Sequence, residues 1–103
     1  MIHLLLSLSL LYSNPQSAIR GVVTTKIESC DYFLVYTNMG YILMEARFFG
    51  DEPEIGDYVY GELHTYNSRK IWNETKEEEM NVWIEDWGLS KGKALEQLVE
   101  KCD

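Results

Sequence analysis

No Asp, Glu, Lys or Arg occurs before Arg20. From there on cations stay scarce: nine Lys and Arg face 17 Asp and Glu, a formal net charge of -8 over 103 residues. A field of that sign repels phosphate backbones and anionic lipid, which disfavours a general polyanion binder. Cysteine is limited to Cys30 and Cys102, in no C-x-x-C or Cys/His ligand spacing, which argues against a zinc site and against a thiol relay. Histidine is limited to His3 and His64, and the chain has no G-x-S-x-G elbow, no G-x-x-x-x-G-K and no G-x-G-x-x-G. Nucleophilic catalysis and nucleotide cradling lack their usual residues, and the expectation is a chain that is not an enzyme and carries no cofactor and no metal.

Long hydrophobic runs are also missing. Leu4 to Leu11 form a short apolar stretch that leads into the turn-prone Tyr12-Ser13-Asn14-Pro15 and exits at Ser17-Ala18. At about 1.5 Å of rise per residue this run cannot cross a hydrocarbon core of about 30 Å, so no transmembrane span is expected. Its length suits the apolar region of a secretory signal peptide. Residues 1–18 therefore read as a leader and 19–103 as one domain, exported to a periplasmic or extracellular space. The competing reading is that Leu6, Leu8 and Leu10, alternating with Ser7 and Ser9, form a strand or interfacial anchor of a cytoplasmic protein. Export permits a Cys30–Cys102 disulfide; a cytosolic home makes both small core residues.

What is present from Arg20 onward is period two. Residues 19–28 alternate apolar Ile19, Val23 and Ile27 with polar Arg20, Thr24 and Glu28. Tyr32 to Thr37 is rich in β-formers, and Asn38-Met39-Gly40 is the tight turn before Tyr41 to Arg47, where Ile42, Met44 and Ala46 share one face. A loop of breakers and acids leads to Tyr58 to Leu63, with a bend at Gly61. Residues 64–79 read as loops with a short strand near Lys70 to Asn73, and Met80 to Trp87 alternates again, pointing Val82 and Ile84 inward. Ser90 caps a helix whose Ala94, Leu95, Leu98, Val99 and Cys102 share one side. The fold expected is all-β and mainly antiparallel: a small five-stranded barrel with a C-terminal α-helix.

Gly56-Asp57-Tyr58-Val59-Tyr60-Gly61, entering a strand after a meander, resembles the Gly-Asp-x-Val-x-Gly stretch of OB-fold barrels, including S1-like domains; SH3-like barrels use similar turns. The segment between the third and fourth strands is too short for a full OB-type helix. This resemblance implies a barrel fold and leaves function open.

Alternation places Tyr32, Tyr36, Tyr41, Tyr58, Tyr60, Trp83 and Trp87 on outward faces. Part of this set is expected beneath the helix or the N-terminal segment. Tyr58, Tyr60, Trp83 and Trp87, on two strands expected to pair as a hairpin, are the candidate binding residues, and Tyr and Trp are favoured anchors at protein interfaces. The same rings serve a single-stranded nucleic-acid binder only beside a basic groove, and the sequence offers none: Arg47, Arg69 and Lys70 are the only candidates and are diluted by acids, so nucleic acid is not the expected partner. Acids cluster at Asp51, Glu52, Glu54 and Asp57, at Glu77-Glu78-Glu79, and at Glu85-Asp86, none in calcium-loop order; they read as solvated loop charge. Asn73-Glu74-Thr75 matches a glycosylation sequon. The function expected is a binding module that engages a protein partner through an aromatic and acidic surface.

Overall fold

The computed structural model describes residues 18–48 and 50–103. Apart from Ala18, the expected leader lies outside the described residues. The strands are β1 (Ile19–Lys26), β2 (Tyr32–Thr37), β3 (Gly40–Ala46), β4 (Tyr58–Gly61), β5 (Asn67–Asn73) and β6 (Glu78–Leu89), followed by helix α1 (Lys91–Cys102). Every neighbouring pair is antiparallel, and the strands close in the order β1-β2-β3-β6-β5-β4, with β4 returning to β1 through Ile19↔Gly61 and Val22↔Tyr58. The seam is thinnest between β4 and β5, which pair only at Val59↔Asn73 and Tyr60↔Trp72.

The barrel thus has six strands rather than the five expected from sequence. The additional strand is β5, where only Ile71 and Asn73 of seven residues are buried. Its apolar signal is minimal, and it is a strand because two neighbours offer it backbone partners: Tyr60↔Trp72 on β4 and Lys70↔Asn81 on β6. A second correction follows. The strands carrying Tyr58 and Trp83 are not a hairpin, because β5 lies between them.

Alternation fills the interior. Phe33 and Val35, Ile42 and Met44, and Val82 and Ile84 are each at most 1% exposed and join one cluster with Val23, Val59, Leu63, Ile71 and Met80. Three register shifts interrupt the alternation. On β1, Val23 faces Val35 but Thr25 faces Leu34, so Thr24 is the extra residue; the strand's inward face ends there and Ile27 turns to the helix side. On β6, Ile84 faces Met44 but Asp86 faces Leu43, so Glu85 is extra. A second shift follows between the Leu43↔Asp86 and Tyr41↔Leu89 pairs, so Trp87 turns to the inner cluster while Leu89 returns to the helix side.

Helix α1 covers the outside of β2 and β3. Leu34 and Leu43 point away from the barrel interior and meet Ala94 and Leu98, all four at most 1% exposed. Ser90 Oγ accepts from the Lys93 amide at 3.2 Å, supplying the N-cap. The contact line is Ala94, Leu98 and Cys102; Leu95 and Val99, a step further round, are 37% and 57% exposed. Cys30 and Cys102 form a disulfide with Cα atoms 5.5 Å apart, tying the helix end to the β1–β2 turn. No helix among the described residues is long and apolar enough to cross a membrane.

The β2–β3 turn shows why Asn38-Met39-Gly40 is tight. Thr37 Oγ1 donates to the Gly40 carbonyl at 2.9 Å and accepts from the Met39 amide at 3.1 Å. Gly40 has φ +112°, and a Cβ there would sit 3.0 Å from the Leu89 carbonyl oxygen, so only glycine suits both the backbone angle and the space.

Candidate functional site

Beside the β2–β3 surface that α1 covers, strands β4, β5 and β6 carry aromatic rings on their outer surface. Val59 is buried, so Tyr58 and Tyr60 on either side of it point outward. Ile71 and Asn73 are buried, so Trp72 between them points outward, opposite Tyr60 in the register. Val82 and Ile84 are buried, so Trp83 points outward as well. Trp83 faces Ser68 on β5, four positions from Trp72 and roughly 13 Å along the strand. Lys70 lies between those two rings on the same face.

Cations attend these rings. The Arg20 guanidinium stacks 4.1 Å from the Tyr58 centroid while its Nε pairs with Glu74 at 3.2 Å. Arg47 lies 5.4 Å from the Trp83 centroid and pairs with Glu45 at 3.0 Å. Trp83 Nε1 donates to Glu85 Oε1 at 3.1 Å, which fixes the ring. Next to Trp83 runs an open groove of about 360 Å³ lined by Arg47, Phe48, Ser68, Arg69, Lys70, Asn81 and Val82. Among the described residues, three cations and no carboxylate line it.

Of the four expected binding residues, Tyr58, Tyr60 and Trp83 share this face and Trp87 does not. The extra residue at Glu85 turns Trp87 toward the inner cluster at the opposite end of the barrel. There His64 stacks on it at 4.9 Å and 19°, and Tyr66 lies 6.0 Å away. His64 Nε2 is 3.5 Å from Thr37 Oγ1, and burial holds the imidazole below its ordinary pKa. Trp87 Nε1 is buried without a hydrogen-bond partner. Trp72 was not anticipated on the outer face. Its one available signal was the alternation Ile71-Trp72-Asn73, which is too short to stand out beside Asn67 to Lys70.

Several acids are structural rather than solvated. Asp57 is 4% exposed and Asn73 fully buried. Asp57 Oδ2 accepts from the Asn73 amide at 2.9 Å and from the Glu54 backbone at 3.0 Å. Burial alone would raise the Asp57 carboxyl, but these two donors and the Lys76 and Lys26 ammonium groups hold it below the ordinary carboxylate range. Asn73 Oδ1 accepts from the Lys76 amide at 3.0 Å, so the sequon side chain is buried and engaged in the folded chain. Asp51 accepts from the Asn81 backbone at 2.9 Å, anchoring the loop after β3 to β6. Glu85 receives Tyr32 at 3.4 Å and Lys101 at 3.6 Å, and Asp86 receives Gln97 at 3.2 Å, so the two bulge acids dock the helix. Burial and the Glu45 and Glu85 carboxylates push the Tyr32 phenol up. Among the described residues no three of His, Cys, Asp and Glu converge as a metal site requires.

Tyr32 and Tyr41 rim the cluster under α1, while Tyr36 packs against Tyr41 at 5.0 Å and stays 45% exposed. No protein-family model, no curated protein and no solved structure matches the chain.

Proposed function

We propose that this chain is a non-enzymatic binding module, an OB-like or SH3-like barrel that engages a protein partner through the outer face of β4, β5 and β6. One observation supports the reading: Tyr58, Tyr60 and Trp83 all point outward from strands of the closed barrel that α1 does not cover. Rings held on strands lose little entropy when they contact a partner, which is why Tyr and Trp anchor interfaces. Export of the mature domain is part of the proposal and is favoured by the Cys30–Cys102 disulfide, since such bonds persist in oxidising compartments.

The experiment is paired capture from the native source with the wild-type chain and with Tyr60→Ala and Trp83→Ala. A partner retained by the wild type and lost from both variants, each still cooperatively folded at the capture temperature, supports the reading. Retention by both variants overturns it.

A second reading, single-stranded nucleic acid, draws on Lys70 lying between Trp72 and Trp83. It is weakened by the carboxylates interleaved with the same rings: Glu79 faces Trp72, Glu45 faces Trp83, and Glu62 lies 4.0 Å from Arg69.

A further inference from the structure

The groove beside Trp83 gathers three of the chain's nine cations in a molecule whose formal charge is -8. They come from distant points of the sequence, Arg47 after β3 and Arg69 and Lys70 on β5, and meet because β6 alone separates those strands. Arg47 is held by Glu45 at 3.0 Å, and Arg69 by Thr65 Oγ1 at 2.9 Å. Both guanidinium groups are therefore oriented before any ligand arrives. Lys70 makes no ion pair among the described residues. Phe48 on the groove's rim is 62% exposed.

From this arrangement we infer that the groove receives a short acidic segment of the protein partner, a carboxylate side chain flanked by an apolar one, with Lys70 and Arg69 on the carboxylate and Phe48 and Trp83 against the apolar neighbour. The inference rests on the protein-binding reading above and names the chemistry of its partner. Charge complementarity selects the acidic group: Lys70 carries no ion pair among the described residues, and the guanidinium groups of Arg47 and Arg69, paired with Glu45 at 3.0 Å and Glu62 at 4.0 Å on the groove's margins, keep donors for a further acceptor. The extent of the positive region sets the length. Glu45, Glu62 and Glu79 lie just outside the groove, so a strand with a charge on every phosphate runs into repulsion, whereas a peptide with one or two carboxylates does not. A volume of about 360 Å³ suits a side chain or two.

The test uses three fluorescein-labelled probes: a short peptide alternating Glu and Phe, the same peptide with Gln for Glu, and a short oligothymidylate. Each is titrated against the chain by polarisation across a salt series, and Trp83 indole shifts are followed by NMR. The Glu peptide is expected to bind saturably and roughly tenfold tighter than the Gln peptide, the difference that one hydrogen-bonded charge makes. Lys70→Ala and Arg69→Ala each remove most of that difference, while Lys91→Ala, a cation on α1 away from the groove, leaves it intact. Equal affinity for the Glu and Gln peptides, or tighter binding of oligothymidylate than of the Glu peptide, overturns the inference. The capture experiment separates the two claims. A partner lost from Tyr60→Ala and Trp83→Ala but kept by Lys70→Ala and Arg69→Ala overturns the acidic-segment inference alone, and a partner kept by all four overturns both.

Discussion

Asp57 and Asn73 hold one another in the barrel wall, a 2.9 Å hydrogen bond between two side chains that are 4% and 0% exposed. They come from opposite ends of the β4–β5 hairpin, and the bond links the loop before β4 to the end of β5. An Asn73→Ala substitution removes that donor and leaves the carboxylate buried with fewer partners. The expected cost is about 1–3 kcal/mol, read as a fall in the urea midpoint with unchanged slope. The same burial predicts that a folded chain presented to an N-glycosylating system carries no glycan at Asn73, by intact mass.

Acidification should weaken the fold in two steps. Burial keeps His64 below its ordinary value of 6.5, so the unfolded chain takes up the proton first. The stability contributed by the neutral ring is present above 6.5 and is lost as pH falls through 6.5 toward the lower folded value. Asp57, held below 3.8, adds a second loss as pH falls through 3.8 toward its own folded value. Urea midpoints measured against pH should show both, and His64→Gln should remove the first while leaving the second. A His64→Gln profile identical to wild type near pH 6.5 would refute the assignment.

Trp83 and Trp87 should respond differently to truncation. Trp83 lies half-buried on the outer face with one hydrogen bond and one stacked cation, and its change to Ala should cost about 1 kcal/mol. Trp87 packs on the interior cluster and under His64, and Trp87→Ala should cost about 3 kcal/mol. At roughly 4–8 °C per kcal/mol for a domain of this size, thermal unfolding resolves the two.

Opening the disulfide tests how far α1 depends on it. The bridge closes a loop of 72 residues, which in the chain-entropy model contributes about 4 kcal/mol. Cys30→Ala with Cys102→Ala should lower stability by up to about that amount. Amide exchange should accelerate in α1 before it does in β2 and β3, because the helix loses its covalent anchor while Leu34 and Leu43 keep their sheet pairing. Uniform acceleration across helix and strands would show that the helix is not an independently opening unit.

The parts of this fold that were legible in the sequence are those where one periodic pattern serves one surface. Ile42, Met44 and Ala46 fill the interior as alternation predicts, Val82 and Ile84 point inward, and Ser90 caps the helix that follows it. β5 was not legible as a full strand, because Asn67 to Lys70 have no buried face of their own and are ordered by hydrogen bonds to β6. Trp87 was misplaced because Glu85 and Asp86 look like an ordinary polar pair in the sequence, and only pairing with β3 reveals that one of them is extra. The three groove cations were singled out in the sequence, but their convergence was not legible, for a topological reason. Arg47 and Lys70 lie far apart in the chain and meet through strand order, which no local pattern encodes.

The bridge between the β1–β2 turn and the end of α1 also orders events during synthesis. Cys30 leaves the ribosome after a single strand, whereas Cys102 follows all six strands and the helix. Until then Cys30 has no partner within its own chain and is a free thiol open to exchange with oxidoreductases and with neighbouring nascent chains. Covalent closure therefore reports that every strand of the barrel has already been made, and a chain truncated anywhere before Cys102 is marked by an unpaired thiol.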